Sequence, residues 1–276
     1  MDKLFELISL PLLAGFIIVS IHSYLGIHIV ERKVIFVDLA LAQIAAAGAG
    51  VGVLLGYQLG GLETFLSALF FTFIGAAIFA LTRMRKEVVP QEAIIGIVYA
   101  VSAAAFILLM DRAPDGAEAV KGMLVGYILL VNWDDIIRIA VLYAIIGVFH
   151  ILVRKRMIYI SRDPEGAFKS GINVKLWDFL FYISFGFVVT TAVQIAGVLL
   201  VFAYLVVPAV CAMLFAEDFK VRLIIGWSLG LLGNLLGMYF SVQFDLPTGA
   251  AIVTTFGLII AAAGLVKAVQ KRFITG

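Results

Sequence analysis

Residues 179–216 read FLFYISFGFVVTTAVQIAGVLLVFAYLVVPAVCAMLFA, 38 positions without one Asp, Glu, Lys or Arg. A hydrocarbon core about 30 Å thick takes about 20 helical residues to cross. The stretch therefore holds two crossings of apolar chain, joined near Ala196-Gly197 with no charged loop between them. Pro208 removes a backbone donor and is expected to kink the second of the pair.

Working outward, the same reading places spans near 8–29, 34–56, 64–82, 93–110, 135–153, 177–194, 197–216, 223–242 and 250–268. The fold class is all-α, a polytopic membrane protein with about eight to nine transmembrane helices in one transmembrane domain over 1–276. The apolar stretch Met123–Val131 is too short to cross, and it is placed as a re-entrant or surface helix. The first apolar run is long enough to span and ends at Glu31-Arg32-Lys33, so it is expected to be a span and not a cleaved leader.

Composition agrees. Apolar residues make up 63% of the 276, and charged residues 14%. Soluble domains have about 45–50% and about 25%, so this chain has too little polar surface to enclose a core in water. Disorder, a disulfide scaffold and a cytosolic enzyme are excluded together. The formal charge of +2 gives no reason to expect nucleic acid as a partner, and the single Cys211 forms no internal disulfide.

Lys and Arg near span ends favour the cytoplasm. One set of alternate connections holds Arg32, Lys33, Arg83, Arg85, Lys86, Arg154, Lys155, Arg156, Arg162, Lys169, Lys175, Lys220 and Arg222, with Lys267, Lys271 and Arg272 in the tail. The other side has Lys3, Arg112, Lys121 and Arg138, a bias of about four to one. The first set is read as cytoplasmic. The outer segment 111–118, acidic through Asp111, Asp115 and Glu118, is either a solvated loop or a surface for a basic partner. Gly48, Gly52 and Gly56, and the pairs Gly226/Gly230 and Gly233/Gly237, lie four apart and read as close helix contacts.

The longest positive-side connection, 154–174, carries its own punctuation. Ser161 or Asp163 can cap a helix that opens with Pro164 and Glu165 and stops at Gly171. Such a helix over 161–172 is either a knob offered to a cytoplasmic partner or an interfacial connector with Arg162 and Lys169 on headgroups.

At this loop the chain resembles the integral-membrane permease subunit of metal-ion ABC importers, the family that moves zinc, manganese or iron. The likeness rests on Glu92-Ala93-Ile94-Ile95-Gly96-Ile97-Val98, on 163–171 (DPEGAFKSG), on 194–200 (QIAGVLL) with Val207-Pro208-Ala209, and on 245–250 (DLPTGA). The resemblance implies an ABC importer permease fold and a homodimer in the bacterial or archaeal cytoplasmic (inner) membrane. It implies ABC ATPase subunits docked on a coupling helix formed by Asp163, Pro164, Glu165, Gly166, Ala167, Lys169 and Gly171. An extracytoplasmic solute-binding protein would deliver the ion on the other side. No phosphate-binding GxxxxGK[ST] occurs in the chain, so ATP is expected in a partner subunit, with no enzyme activity and no cofactor here.

One stretch departs from the family. Its second span carries an Asp and a His four residues apart, whereas this chain reads Phe36-Val37-Asp38-Leu39-Ala40-Leu41-Ala42-Gln43, with Leu39 and Gln43 in those places. Asp38 and Gln43 are the candidate path ligands for the metal, yet they lie about 140° apart around a helix. Their oxygens suit hard ions better than zinc. Asp38 is either such a ligand or a helix-start Asp satisfied by backbone donors and by Arg32 and Lys33. His22, His28 and His150 are candidate lone ligands or hydrogen-bonding groups. Thr190, Thr191, Gln194, Asn234 and Gln243 either line a polar path or bond between helices. Alternatives are an ABC permease of the same build for another substrate, and a gradient-driven secondary transporter.

Overall fold

The structure is a computed structural model that describes residues 2–58, 60–84, 89–113 and 116–275. Arg85, Lys86, Pro114 and Asp115 lie outside the described residues. The helices are α1 (Asp2–Glu31), α2 (Val37–Leu54), α3 (Leu62–Leu81), α4 (Gln91–Met110) and α5 (Gly116–Val125). After a 3₁₀ turn at Ile128–Leu130 come α6 (Trp133–Arg162), α7 (Pro164–Lys169), α8 (Val174–Phe215), α9 (Phe219–Phe244) and α10 (Thr248–Thr275). Among the described residues eight helices are long and apolar enough to cross a membrane. One of them, α8, has 42 residues and contains both expected spans of the opening stretch.

Two boundaries differ from the sequence reading. The helix expected at 135–153 runs on to Arg162, so Arg154, Lys155 and Arg156 are helical and not loop. At 1.5 Å per residue its 30 residues reach about 45 Å, and the charged turns extend beyond a 30 Å core. The short segment placed at Met123–Val131 starts earlier, as α5, and is ended at Gly126 by a φ of 72°.

The chain divides into two compact units. One comprises Glu31–Leu124 and Ala144–Gln194. Here α2 packs on α3 and α4. A Cβ on Gly48 would lie 2.8 Å from the Ser67 carbonyl oxygen, and one on Gly52 would lie 3.2 Å from Thr64 Cα. Ser67 Oγ donates to the Gly48 carbonyl at 2.6 Å across this contact. Gly56 does not share that role, since it follows the helix at φ 92° with open space around it. Ala46 and Ala47 receive Phe106 and Met110 of α4.

The other unit comprises Met1–Val30, Val125–Tyr143 and Ile195–Gly276. Gly230 faces Val19 of α1, Gly233 faces Phe256 of α10, and a Cβ on Gly237 would collide with Ile252. Asn234 accepts from the Tyr204 hydroxyl at 2.6 Å, and its amide donates to the Leu12 carbonyl at 3.4 Å. This polar group therefore bonds between helices. Without water in hydrocarbon, close backbones and paired polar groups supply the packing energy.

The break in α8 falls at Gly197 (φ 76°, ψ 159°), while Pro208 keeps helical dihedrals. Proline costs one donor, but this φ/ψ combination is open essentially only to glycine. The Ile195 carbonyl accepts from Tyr127 N–H at 2.9 Å, so the segment after α5 satisfies backbone beside the break. A Cβ on Gly126 would collide with the Ala196–Gly197 peptide. Gly197→Ala is expected to cost about 1–3 kcal/mol of backbone strain. Gly126→Ala should lower the melting temperature of the detergent-purified chain further, whereas Gly56→Ala should shift it less than either.

Candidate functional site

The residues singled out for coupling, and the path candidates Asp38 and Gln43, lie in the unit formed by Glu31–Leu124 and Ala144–Gln194, whereas His22 and His28 lie in the other. Six residues form a helix in α7 because both its ends are closed. Asp163 is the N-cap, its carboxylate accepting from Gly166 N–H at 2.8 Å, with Pro164 at the first helical position. Glu165 sits in the first turn and Lys169 in the last, as the helix dipole favours. Ser170 is the C-cap, and Gly171 turns the chain away at φ 76°. The expected helix over 161–172 thus narrows to Pro164–Lys169, with Ser161 and Arg162 closing α6.

One face of α7 is fixed. Ala167 is fully buried with Ile160 of α6 and Val174 of α8, and Phe168, Ile172 and Trp177 pack around them. The Arg156 guanidinium lies 5.1 Å from the Trp177 ring centre. Gly166 has no room for a side chain, since a Cβ would collide with the Asp163 carboxylate and lie 2.8 Å from the Tyr159 hydroxyl. The other face, Asp163, Glu165, Lys169, Ser170 and Gly171, is exposed. The Glu165–Lys169 pair, 3.9 Å apart with both side chains more than 70% exposed, adds little stability.

Both flanks of α7 reach a buried ion cluster. Arg32 Nη1 pairs with Asp178 Oδ1, and Arg83 Nε lies 3.7 Å from Asp178 Oδ2. Arg32 Nε donates to Ser161 Oγ at 2.9 Å, and the Ser161 hydroxyl donates to the Met157 carbonyl at 2.8 Å. The guanidinium lies 4.1 Å from the Phe181 ring centre. Nearby, Arg162 pairs with Glu31 at 3.0 Å, and Lys175 donates to the Leu81 carbonyl at 3.2 Å. Four bases assigned to one side by charge bias, Arg32, Arg83, Arg162 and Lys175, thus gather where α1, α3, α6 and α8 end or begin. Asp178 was not among the residues the sequence brought forward. Its signal was an acid in an apolar run, Leu176-Trp177-Asp178-Phe179-Leu180, which in lipid marks a paired or working charge.

Asp38 and Gln43 are both buried in α2, in the first and second turns. Arg32 is committed to Asp178, and Asp38 Oδ1 has no hydrogen-bond partner among the described residues. The expectation that nearby bases satisfy Asp38 therefore fails. The start of α2 is held instead by Glu92, whose carboxylate accepts from Phe36 N–H at 3.0 Å. Among the described residues, no three His, Cys, Asp or Glu side chains come together as a resident metal site. His22 donates from Nδ1 to the Ile18 carbonyl, 2.8 Å away, and His150 Nε2 lies 2.9 Å from Ser184 Oγ. Thr190 meets Thr72 at 3.2 Å between helices.

A family model described as the ABC 3 transport family matches residues 4–267. The chain belongs to that family. It is similar to the manganese import system permease protein ScaB of Streptococcus gordonii, 25% identical over 97% of this chain and 94% of that one. It is also similar to the "Probable iron transport system membrane protein" of Haemophilus influenzae, 29% identical over 71% of this chain and 69% of that one. Among solved structures, PsaBC from Streptococcus pneumoniae in complex with Fab superposes with a TM-score of 0.78 at 23% identity, covering 94% of this chain and 91% of that chain. The fold is thus that of an ABC importer permease, and this ABC 3 member is a multi-pass membrane protein of transport.

Removing the cap of so short a helix should be visible locally. Asp163→Ala is expected to loosen α7 by about 1 kcal/mol, or about a fivefold gain in amide exchange over 164–170. Gly166→Ala should give a similar gain by displacing the same carboxylate, with the exchange of α2 unchanged in both.

Proposed function

We propose that the chain is the membrane-spanning permease subunit of an ATP-driven importer for a divalent metal ion. It works as a homodimer in a bacterial or archaeal cytoplasmic membrane. ABC ATPase subunits, which carry the nucleotide chemistry, dock on the exposed face of α7 formed by Asp163, Glu165, Lys169 and Gly171. An extracytoplasmic solute-binding protein delivers the ion to the opposite side.

The observation that carries this reading is α7 itself. A short helix, capped at both ends and seated on two membrane-length helices, presents a rigid polar face in a chain of an ABC transport family. Relatives named for manganese and iron support the cargo. The candidate donors on α2, a carboxylate in Asp38 and an amide oxygen in Gln43, favour a hard ion such as manganese over zinc. A single helix does not bring the two onto one face, so the path would take further donors from elsewhere in the assembly. Gln43, standing where the family has His, also supports a second reading, the same permease build with a cargo other than a transition metal.

Reconstituted with its ATPase and binding protein, the chain is expected to take up Mn²⁺ only with ATP present and to prefer it to Zn²⁺. Uptake without ATP would overturn the reading, and ATP-driven uptake of neither metal would favour the second one. Glu165→Lys, which leaves like charges on the docking face, should reduce co-purification of the ATPase. Asp38→Asn should leave co-purification intact and cut Mn²⁺ uptake by at least about tenfold, as loss of a charged partner implies.

A further inference from the structure

Four residues far apart in sequence meet in one buried cluster. Arg32 lies just past α1, Arg83 just past α3, Ser161 in the last turn of α6, and Asp178 near the start of α8. The Asp178 side chain has no exposure, and that of Arg83 has 5%. Between Ser161 and Asp178 the chain makes α7. One guanidinium, that of Arg32, holds the residue before α7 through Nε and the residue after it through Nη1. Six positions beyond Arg32 stands Asp38, and the turn between them is fastened to α4 by Glu92.

We infer that Asp178, with Arg32 and Ser161, is a positioning group that passes displacement of α7 to the start of α2, and so to Asp38. The inference rests on the proposed role of α7 as the ATPase dock. A contact made only by the apolar side chains around Ala167 could slide. The two bonds of a planar guanidinium fix direction as well as distance. The charges are buried, so the pair is little screened and its partners have no water to exchange for each other. Arg83, 3.7 Å from the second carboxylate oxygen, extends the same node to the end of α3. None of these side chains belongs to the exposed face of α7, so docking and transmission are carried by different residues.

The test uses the chain assembled with its ATPase in proteoliposomes. Complex yield, ATP hydrolysis and Mn²⁺ uptake are measured for wild type, Asp178→Asn and Ser161→Ala. Yield and hydrolysis are expected to stay within about twofold of wild type. Ions moved per ATP should fall at least about tenfold in Asp178→Asn, where a buried ion pair is broken. In Ser161→Ala, which removes a single hydrogen bond, the ratio should fall about threefold. An unchanged ratio in Ser161→Ala, or a parallel loss of yield, hydrolysis and uptake in it, would overturn the inference. If Asp178→Asn fails to assemble, Ser161→Ala decides by the same ratio. Wild type that takes up no Mn²⁺ with ATP would overturn the proposed function on which the inference rests, and the two failures are thereby distinct.

Discussion

In hydrocarbon every peptide N–H and C=O must find its partner inside the protein, because there is no water to supply one. That constraint makes this chain helical and makes each interruption of a helix informative. The break at Gly197 is accompanied by Tyr127 N–H on the Ile195 carbonyl. The start of α2, which lacks a side-chain cap of its own, borrows the Glu92 carboxylate from α4. The start of α7 is closed by Asp163, and that of α9 by Asp218, which accepts from Lys220 and Val221 N–H at 2.9 and 3.1 Å. The polar residues that look expensive in sequence are mostly the ones that let apolar helices begin and end.

Much of the fold was legible because the same constraint writes long apolar runs into the sequence. The spans, the double crossing of 179–216 and the close-packing glycines of α2 and α9 follow from composition and spacing alone. Where the reading slipped, a local rule met a second force. Charge suggested that 154–156 leave the helix, but outside the core a helix of Arg and Lys is as good as a loop, and α6 continues. The junction expected near Ala196-Gly197 falls at Gly197, whose backbone conformation is open essentially only to glycine, while Pro208 stays inside the helix. Gly56 shared the spacing of Gly48 and Gly52, yet the helix had ended before it.

The candidate site divides along the same line. Asp163, Pro164 and Gly171 announce a capped helix within ten residues of sequence, and α7 is where they said. The cluster beneath it was hidden, since Arg32 and Asp178 are 146 positions apart. Pairing of that kind is a property of the folded chain. Asn234 resolved to the quieter of its two readings, bonding between helices, while His22 bonds a carbonyl of its own helix through Nδ1.

The unit thus holds two buried carboxylates of opposite character. Asp178 lies between two arginines, and its charge is spent within the protein. Asp38, near the start of α2, has no such pair, and its Oδ1 has no hydrogen-bond partner among the described residues. A carboxylate held between two guanidinium groups and one without a cationic partner have different surroundings although they lie in one unit. Arg32 keeps them apart. By pairing with Asp178 it withholds itself from Asp38, although only six residues of chain separate the two. The arginine that secures the flanks of α7 is also the one that does not pair with Asp38, so the anchoring of the inner helix and the unpaired state of that carboxylate oxygen follow from a single choice of partner.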